Sequence, residues 1–277
     1  MGTAFYTLRQ RLAWMMAGES LTGVPAAAPP TLTTDTFGVS AFQSYGDDYF
    51  NDWFGRFYEG PKAGTDFVIS DFEQVNGKIV LATAVSSVIL VTDKFEMYPE
   101  YSPEELGRAI NLAISSVESE ALEDAIDDTI ALSSTMFEYE VPAGISHIEA
   151  LYREGELSGR FSLKDDLISP RHWNLKRMGT KAQIWFDPTY AALPSGRHLR
   201  IIGQRKPSQL VRDSDVSNIN ELFVLEQAKA FVHQGRVRGS NADFEGHERQ
   251  MGIAQQMADR ERTRIRVSGR GHQVSYP

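Results

Sequence analysis

The apolar positions of this chain switch between helical and strand spacing as it runs, and each switch marks an element. Over residues 3–17, Phe5, Leu8, Leu12 and Met15/Met16 recur at helical spacing and Gly18 follows, which predicts an amphipathic opening helix ended by a glycine. Residues 24–30, Val-Pro-Ala-Ala-Ala-Pro-Pro, read as a stiff extended linker, because proline fixes φ and offers no backbone donor. Between residues 31 and 93 the texture is β. Aromatic and β-branched runs at 53–58, 66–70, 78–82 and 85–91 are divided by Gly60-Pro61, Gly64 and the hairpin dipeptide Asn76-Gly77.

At Tyr101-Ser102-Pro103-Glu104-Glu105 the period changes again. Ser102 reads as a helix cap, Pro103 as the first helical residue, and the acids fall in the first turn. Leu106, Ala109, Ile110, Ala113, Ile114, Val117, Ala121 and Leu122 then continue an apolar stripe that predicts one long helix to about residue 127. A second β region follows, with runs at 136–141, 145–152, 171–176, 181–186 and 198–202 and turns at Pro142-Ala-Gly144, Met178-Gly179 and Leu193-Pro194-Ser195-Gly196. Ser217 or Asn218 is placed to cap a further helix with Leu222, Leu225, Ala228, Phe231 and Val232 on one face. Residues 241–256 read as a polar helix and the rest as an extended arm. The predicted fold is therefore α+β: a small helical bundle with two inserted antiparallel β modules, each a sandwich or meander, and an extended polar C-terminal arm. Its segments are 1–30, 31–95, 96–135, 136–205, 206–240 and 241–277.

Composition bounds what such a chain does. With 277 residues, 42% of them hydrophobic, it buries a sizeable core, and the absence of cysteine excludes disulfides, thiolate zinc sites and cysteine nucleophiles. No basic start joins an apolar run to a small-residue cleavage site, and the apolar runs are far shorter than the ~20 residues that cross a bilayer, so neither an export signal nor a membrane span is expected. The net charge of −9 is uneven. Acids gather at Glu118, Glu120, Glu123, Asp124, Asp127 and Asp128, whereas the end of the chain is basic, with Arg249, Arg260, Arg262, Arg264, Arg266 and Arg270 before a terminal Tyr276-Pro277. Such asymmetry suggests either head-to-tail docking between copies or onto a partner, or two ordinary solvated faces, and the acidic whole argues against general nucleic-acid binding. The basic tail buries too little apolar surface to offset ordering at ~1–2 kcal/mol per residue, so any order in it is expected to come from outside the chain.

Catalytic signals are lacking. There is no P-loop, dinucleotide glycine fingerprint, GxSxG elbow or paired-His zinc motif, and no cofactor is expected. The histidines lie far apart, and His233 reads as a partner for a helix C-terminus rather than a base. Asp213 and Asp215 read as turn chemistry before a helix, and the acids at 118–128 as a solvated helix face, since they lack the alternating carboxylates and central glycine of a calcium loop. The aromatic set Tyr45, Tyr49, Phe50, Trp53, Phe54, Phe57 and Tyr58 reads as β core before it reads as a stacking platform.

The order helix, β module, helix, β module, helix, polar tail resembles the head-tail adaptor (neck or connector) proteins of tailed bacteriophages. Residues 95–111, from Phe95-Glu-Met-Tyr-Pro-Glu-Tyr101 through Ile110-Asn, look like the segment by which such chains enter their bundle. Gly196-Arg-His-Leu-Arg200-Ile, Pro207, Leu210, Asp213, Asp215 and residues 222–231 look like the return from an inserted sheet, and Tyr139-Glu-Val141-Pro142-Ala-Gly144-Ile145 like the strand and turn after the long helix. The large size and the β module ahead of Tyr101 depart from that pattern. The resemblance implies a non-enzymatic structural protein of the virion, assembled in the host cytoplasm as a dodecameric ring. That ring would sit between the portal protein and a downstream neck or tail protein, and genome DNA would pass through it without sequence recognition and without a membrane. It further implies a portal-docking arm of Arg249, Arg260, Arg262, Arg264, Arg266, Arg270 and Tyr276, with Glu118, Glu120, Glu123, Asp124, Asp127 and Asp128 at the channel or a subunit interface. The competing expectation is a carbohydrate-binding or host-recognition tail module built on Trp53 or Trp173.

Overall fold

A computed structural model of the chain describes residues 2–27, 30–156, 159–162, 166–178, 181–189, 193–237 and 243–265. These sort into two compact units, residues 2–117 with 208–265 and residues 118–207. In chain order the first unit supplies β1 (Thr3–Ala4), α1 (Phe5–Ala17), β2 (Leu21–Gly23), β3 (Thr36–Gly38), β4 (Phe54–Glu59), β5 (Asp66–Glu73), β6 (Lys78–Leu81), β7 (Lys94–Tyr98) and α2 (Pro103–Ser115). The second supplies β8 (Glu123–Ala131), β9 (Glu138–Glu140), β10 (Ile145–Arg153), β11 (Leu167–Ile168), β12 (Trp173–Met178), β13 (Lys181–Phe186) and β14 (His198–Arg205). The chain then re-enters the first unit as β15 (Val216–Ser217), α3 (Glu221–Val237) and α4 (Phe244–Arg262). Helices and antiparallel sheets make the protein α+β.

In the first unit the strands run in the order β2-β7-β4-β5-β6-β3. The sheet curls until the chain just past β2 meets β3, where the Ala26 amide donates to the Gly38 carbonyl at 2.7 Å. Alternation drives the curl: Phe37, Phe57, Phe67, Ile69, Ile79 and Phe95 all face one buried cluster with Phe42, Phe50 and Trp53. A β-bulge between Ile69 and Asp71 resets the alternation, so that Phe72 also turns inward. Gly55 is required by packing, since a Cβ there would stand 2.2 Å from the Phe67 ring. Asn76-Gly77 makes the β5–β6 turn as predicted, with both residues at positive φ.

The predicted linker over residues 24–30, of which 28 and 29 lie outside the described residues, also contributes to the sheet through the Ala26 amide. Residues 85–91 form no strand. Val85 and Ile89 bury their side chains against the same cluster, and their amides bond to Thr34 and Thr33, so the apolar run is a core-lining loop.

The helices lie in the same unit. Gly18 ends α1 in the left-handed conformation at φ 73°, and the Ser102 side chain caps α2 by accepting from the Glu105 amide. The α1 amides of Phe5 and Tyr6, orphaned at a helix start, donate to the Asp215 and Asp213 carbonyls of the returning chain, beside the β1–β15 pair. The predicted long helix is corrected here: α2 stops at Ser115, and from Glu123 the chain is strand β8. Ala121 and Leu122 continue the helical spacing by coincidence, while the alternation of Glu123, Ala125 and Asp127 against Asp124, Ile126 and Asp128 fits a strand with one open face. The cap of α3 is Asn220, whose side chain accepts from the Leu222 and Phe223 amides, not Ser217 or Asn218. The last helix runs to Arg262, so Arg260 and Arg262 are helical rather than part of an extended arm.

The second unit has a four-stranded sheet, β11-β10-β14-β8, and a three-stranded sheet, β12-β13-β9. Ile148, Leu151, Ile168, Leu199 and Ile201 from one and Tyr139, Trp173, Ile184 and Phe186 from the other bury into one cluster. Truncating the centre of the first unit is expected to be costly: Phe57→Ala removes a fully buried ring and lowers stability by ~3–5 kcal/mol, read as a shift of the urea midpoint. A loss below about 1 kcal/mol would contradict the closed aromatic core.

Candidate functional site

The strongest electrostatic feature was not read from the sequence as a site. Arg9 projects from the core-facing side of α1, 1% exposed, and pairs at 2.6 Å with both Glu96 of β7 and Asp213 of the returning chain. Arg56 of β4 reaches the same Asp213 oxygen at 2.9 Å and holds Asp66 at 2.6 Å. Burial draws the Arg9 pKa down, but Glu96, Tyr98 and Asp213 outweigh it and the net direction is up. Burial also raises the Glu96 carboxyl, and Arg9 only partly offsets it. Asp213 is thus a buried counter-ion and not turn chemistry, whereas Asp215 does make the turn, accepting from the Val211 and Arg212 amides. Arg9, Glu96 and Asp213 thereby hold α1, β7 and the returning chain together, each charge with a partner inside the first unit.

A cleft of about 480 Å³ between α2 and α3 is lined by Glu104, Glu105, Arg108, Leu112, Phe231 and Arg236. Arg236 fills its chemistry from within, forking onto Glu105 at 3.1 and 3.2 Å with its guanidinium 5.0 Å from the Tyr101 ring centre. Among the described residues no group of three or more His, Asp or Glu is arranged to hold a metal ion. Trp53 and Trp173 are each only 6% exposed and belong to the two cores, which removes both from any stacking platform.

The charged sets predicted from the sequence become two surfaces. Arg249, Arg260 and Arg262 lie on α4 and Arg264 just past it, where it pairs with Glu261 at 2.9 Å; Arg266, Arg270 and Tyr276 lie outside the described residues. Glu118 and Glu120 fall in the connection after α2, and Glu118 meets Lys206 at 2.6 Å. Glu123, Asp124, Asp127 and Asp128 line β8, an edge strand, where Asp128 forks onto Arg200 and Glu123 meets Arg205.

Small residues seat α4 on α3. Ala254 and Ala258 are fully buried, and the Gln227 and Gln255 amides exchange hydrogen bonds at 3.2 and 3.3 Å. At the other end of the seam His233 and His247 bring their Nδ1 atoms to 3.0 Å, so one must donate and the other accept. His233 therefore partners another imidazole and not a helix terminus. Burial, with His247 and Lys229 nearby, lowers its pKa to about 4. No family model matches the chain, and no curated protein matches it significantly.

Two outcomes are expected. Arg9→Met strands two buried carboxylates and costs ~3–5 kcal/mol, whereas Arg9→Met with Glu96→Met and Asp213→Leu recovers most of that loss in urea melts. For the histidine seam, a depressed folded pKa means that the stabilisation is complete above pH 6.5 and is lost as pH falls from 6.5 toward 4. Urea midpoints across that range should fall for the wild type and fall less for His233→Gln; parallel curves would refute the assignment.

Proposed function

We propose that the protein is a non-enzymatic adaptor of a tailed-phage neck, whose copies form a ring between the portal vertex and the tail around the path of the DNA. The observation that carries this reading is the insertion: the chain leaves the helical unit after α2, builds the β unit of residues 118–207, and returns at Ser208 to complete the helices with α3. That is the order on which the adaptor resemblance rests, a helical bundle with a sheet inserted between its helices. A chain whose buried Arg9, Glu96 and Asp213 pair with one another and whose unlike charges sit on exposed elements is also suited to assembly rather than turnover. In this reading Arg262, Arg264 and the residues after them meet the portal, and the β8 acids belong to a subunit interface.

Native mass spectrometry of the purified chain, alone and with portal-bearing capsids, tests the reading. A ring alone, or a ring formed on the capsids, is the expected result. A chain that stays monomeric in both and does not sediment with capsids would sink it.

A further inference from the structure

Two exposed surfaces, one on each unit, are complementary in shape class and charge. On α4, Arg249, Ile253, Met257 and Arg260 follow one another at spacings of four, four and three and share one exposed flank of the helix, beside the side that buries Ala254 and Ala258. Ile253 is 42% and Met257 44% exposed. The other surface is the outer face of the β11-β10-β14-β8 sheet on its β8 side, beyond the Phe161 ring that lies 4.0 Å from the Arg200 guanidinium. Its opposite face is buried through Ile148, Leu151, Leu199 and Ile201, whereas Ile126, 65% exposed, stands directly across from Ile202. Ile202 in turn is across from Ala150, and the next row sets Arg200 against Tyr152 and Tyr152 against Leu167. Asp124 and Asp128 flank Ile126 on the same face at strand spacing.

We propose that α4 of one copy lies across this sheet face of a second copy, seating Ile253 and Met257 on Ile126 and Ile202 with Arg249 and Arg260 against Asp124 and Asp128. The proposal rests on the ring reading above and names the contact that builds the ring. A helix laid on the exposed part of an antiparallel sheet face is how such a surface is ordinarily buried, and here it would lie beside the edge strand β8. The occupant is a second copy because both complementary halves are present on this chain. Two different patches meeting in this way form a head-to-tail contact, which closes into a ring when the rotation between copies allows it.

Charge reversal in the full-length chain tests this by mixing. Asp124→Arg and Arg260→Glu are each expected to weaken association at least about tenfold in sedimentation equilibrium, with unchanged circular dichroism. An equimolar mixture should reassemble, because every contact between unlike copies again joins opposite charges. Met257→Glu, on the solvent side of α4, should dissociate the assembly without rescue by either variant, and it keeps the test open if Asp124→Arg disturbs β8. An assembly that all three changes leave intact overturns this contact while the ring reading stands. Dissociated variants that fail to reassemble on mixing also overturn it, and a wild-type chain that assembles neither alone nor on capsids removes both.

Discussion

The architecture of the first unit depends on one buried cation. Arg9 has no water to solvate it, so it is held where Glu96 and Asp213 can both reach it, and those partners lie 87 and 204 residues away in sequence. Helix α1, strand β7 and the returning chain are thereby fixed to a common point, and Arg56 extends the fixation to β4. Replacing such a group by apolar side chains of similar volume is often neutral or stabilising, so stability alone does not account for it. What the ion triad contributes is geometry: the placement of the returning chain that brings Asp213 to Arg9 also presents the Asp213 and Asp215 carbonyls to the first amides of α1.

Local signals were read well where a single residue decides the backbone. Gly18, Ser102 with Pro103, and Asn76-Gly77 each act through their own chemistry, and each stands where its chemistry requires. Reading failed where burial, not period, sets the conformation. The run at residues 85–91 is apolar because it lines a core and not because it pairs, and the stripe through Ala121 and Leu122 outlived its helix by several residues. Arg9 gave a clue, since it sits on the same side of the opening helix as Leu8 and Leu12, where a charge needs a buried partner. Which carboxylate would supply that partner was beyond local pattern, and so was the meeting of His233 with His247 across two helices.

The predicted functional residues fared differently. The described basic residues lie on and just past the last helix, and Glu123, Asp124, Asp127 and Asp128 moved from a helix face to an edge strand. On a helix those acids would have formed a band of like charge. On a strand they alternate with apolar residues, and the even-numbered positions frame Ile126. Their pairing with Arg200 and Arg205 moderates the charge further, giving a surface that is apolar at its centre and only modestly acidic at its border.

The return of the chain at Ser208 also bears on the order in which the molecule is made. A ribosome releases Arg9 and Glu96 long before Asp213, so the first unit cannot finish its ion triad until the whole second unit has left the exit tunnel. The aromatic cluster of the first unit lies within residues 21–97 and the buried cluster of the second within residues 130–201, so each core has every residue it needs while the triad still waits for Asp213. Both cores are therefore positioned to form before the triad closes, and the opening helix finds its last partner only when synthesis is nearly complete.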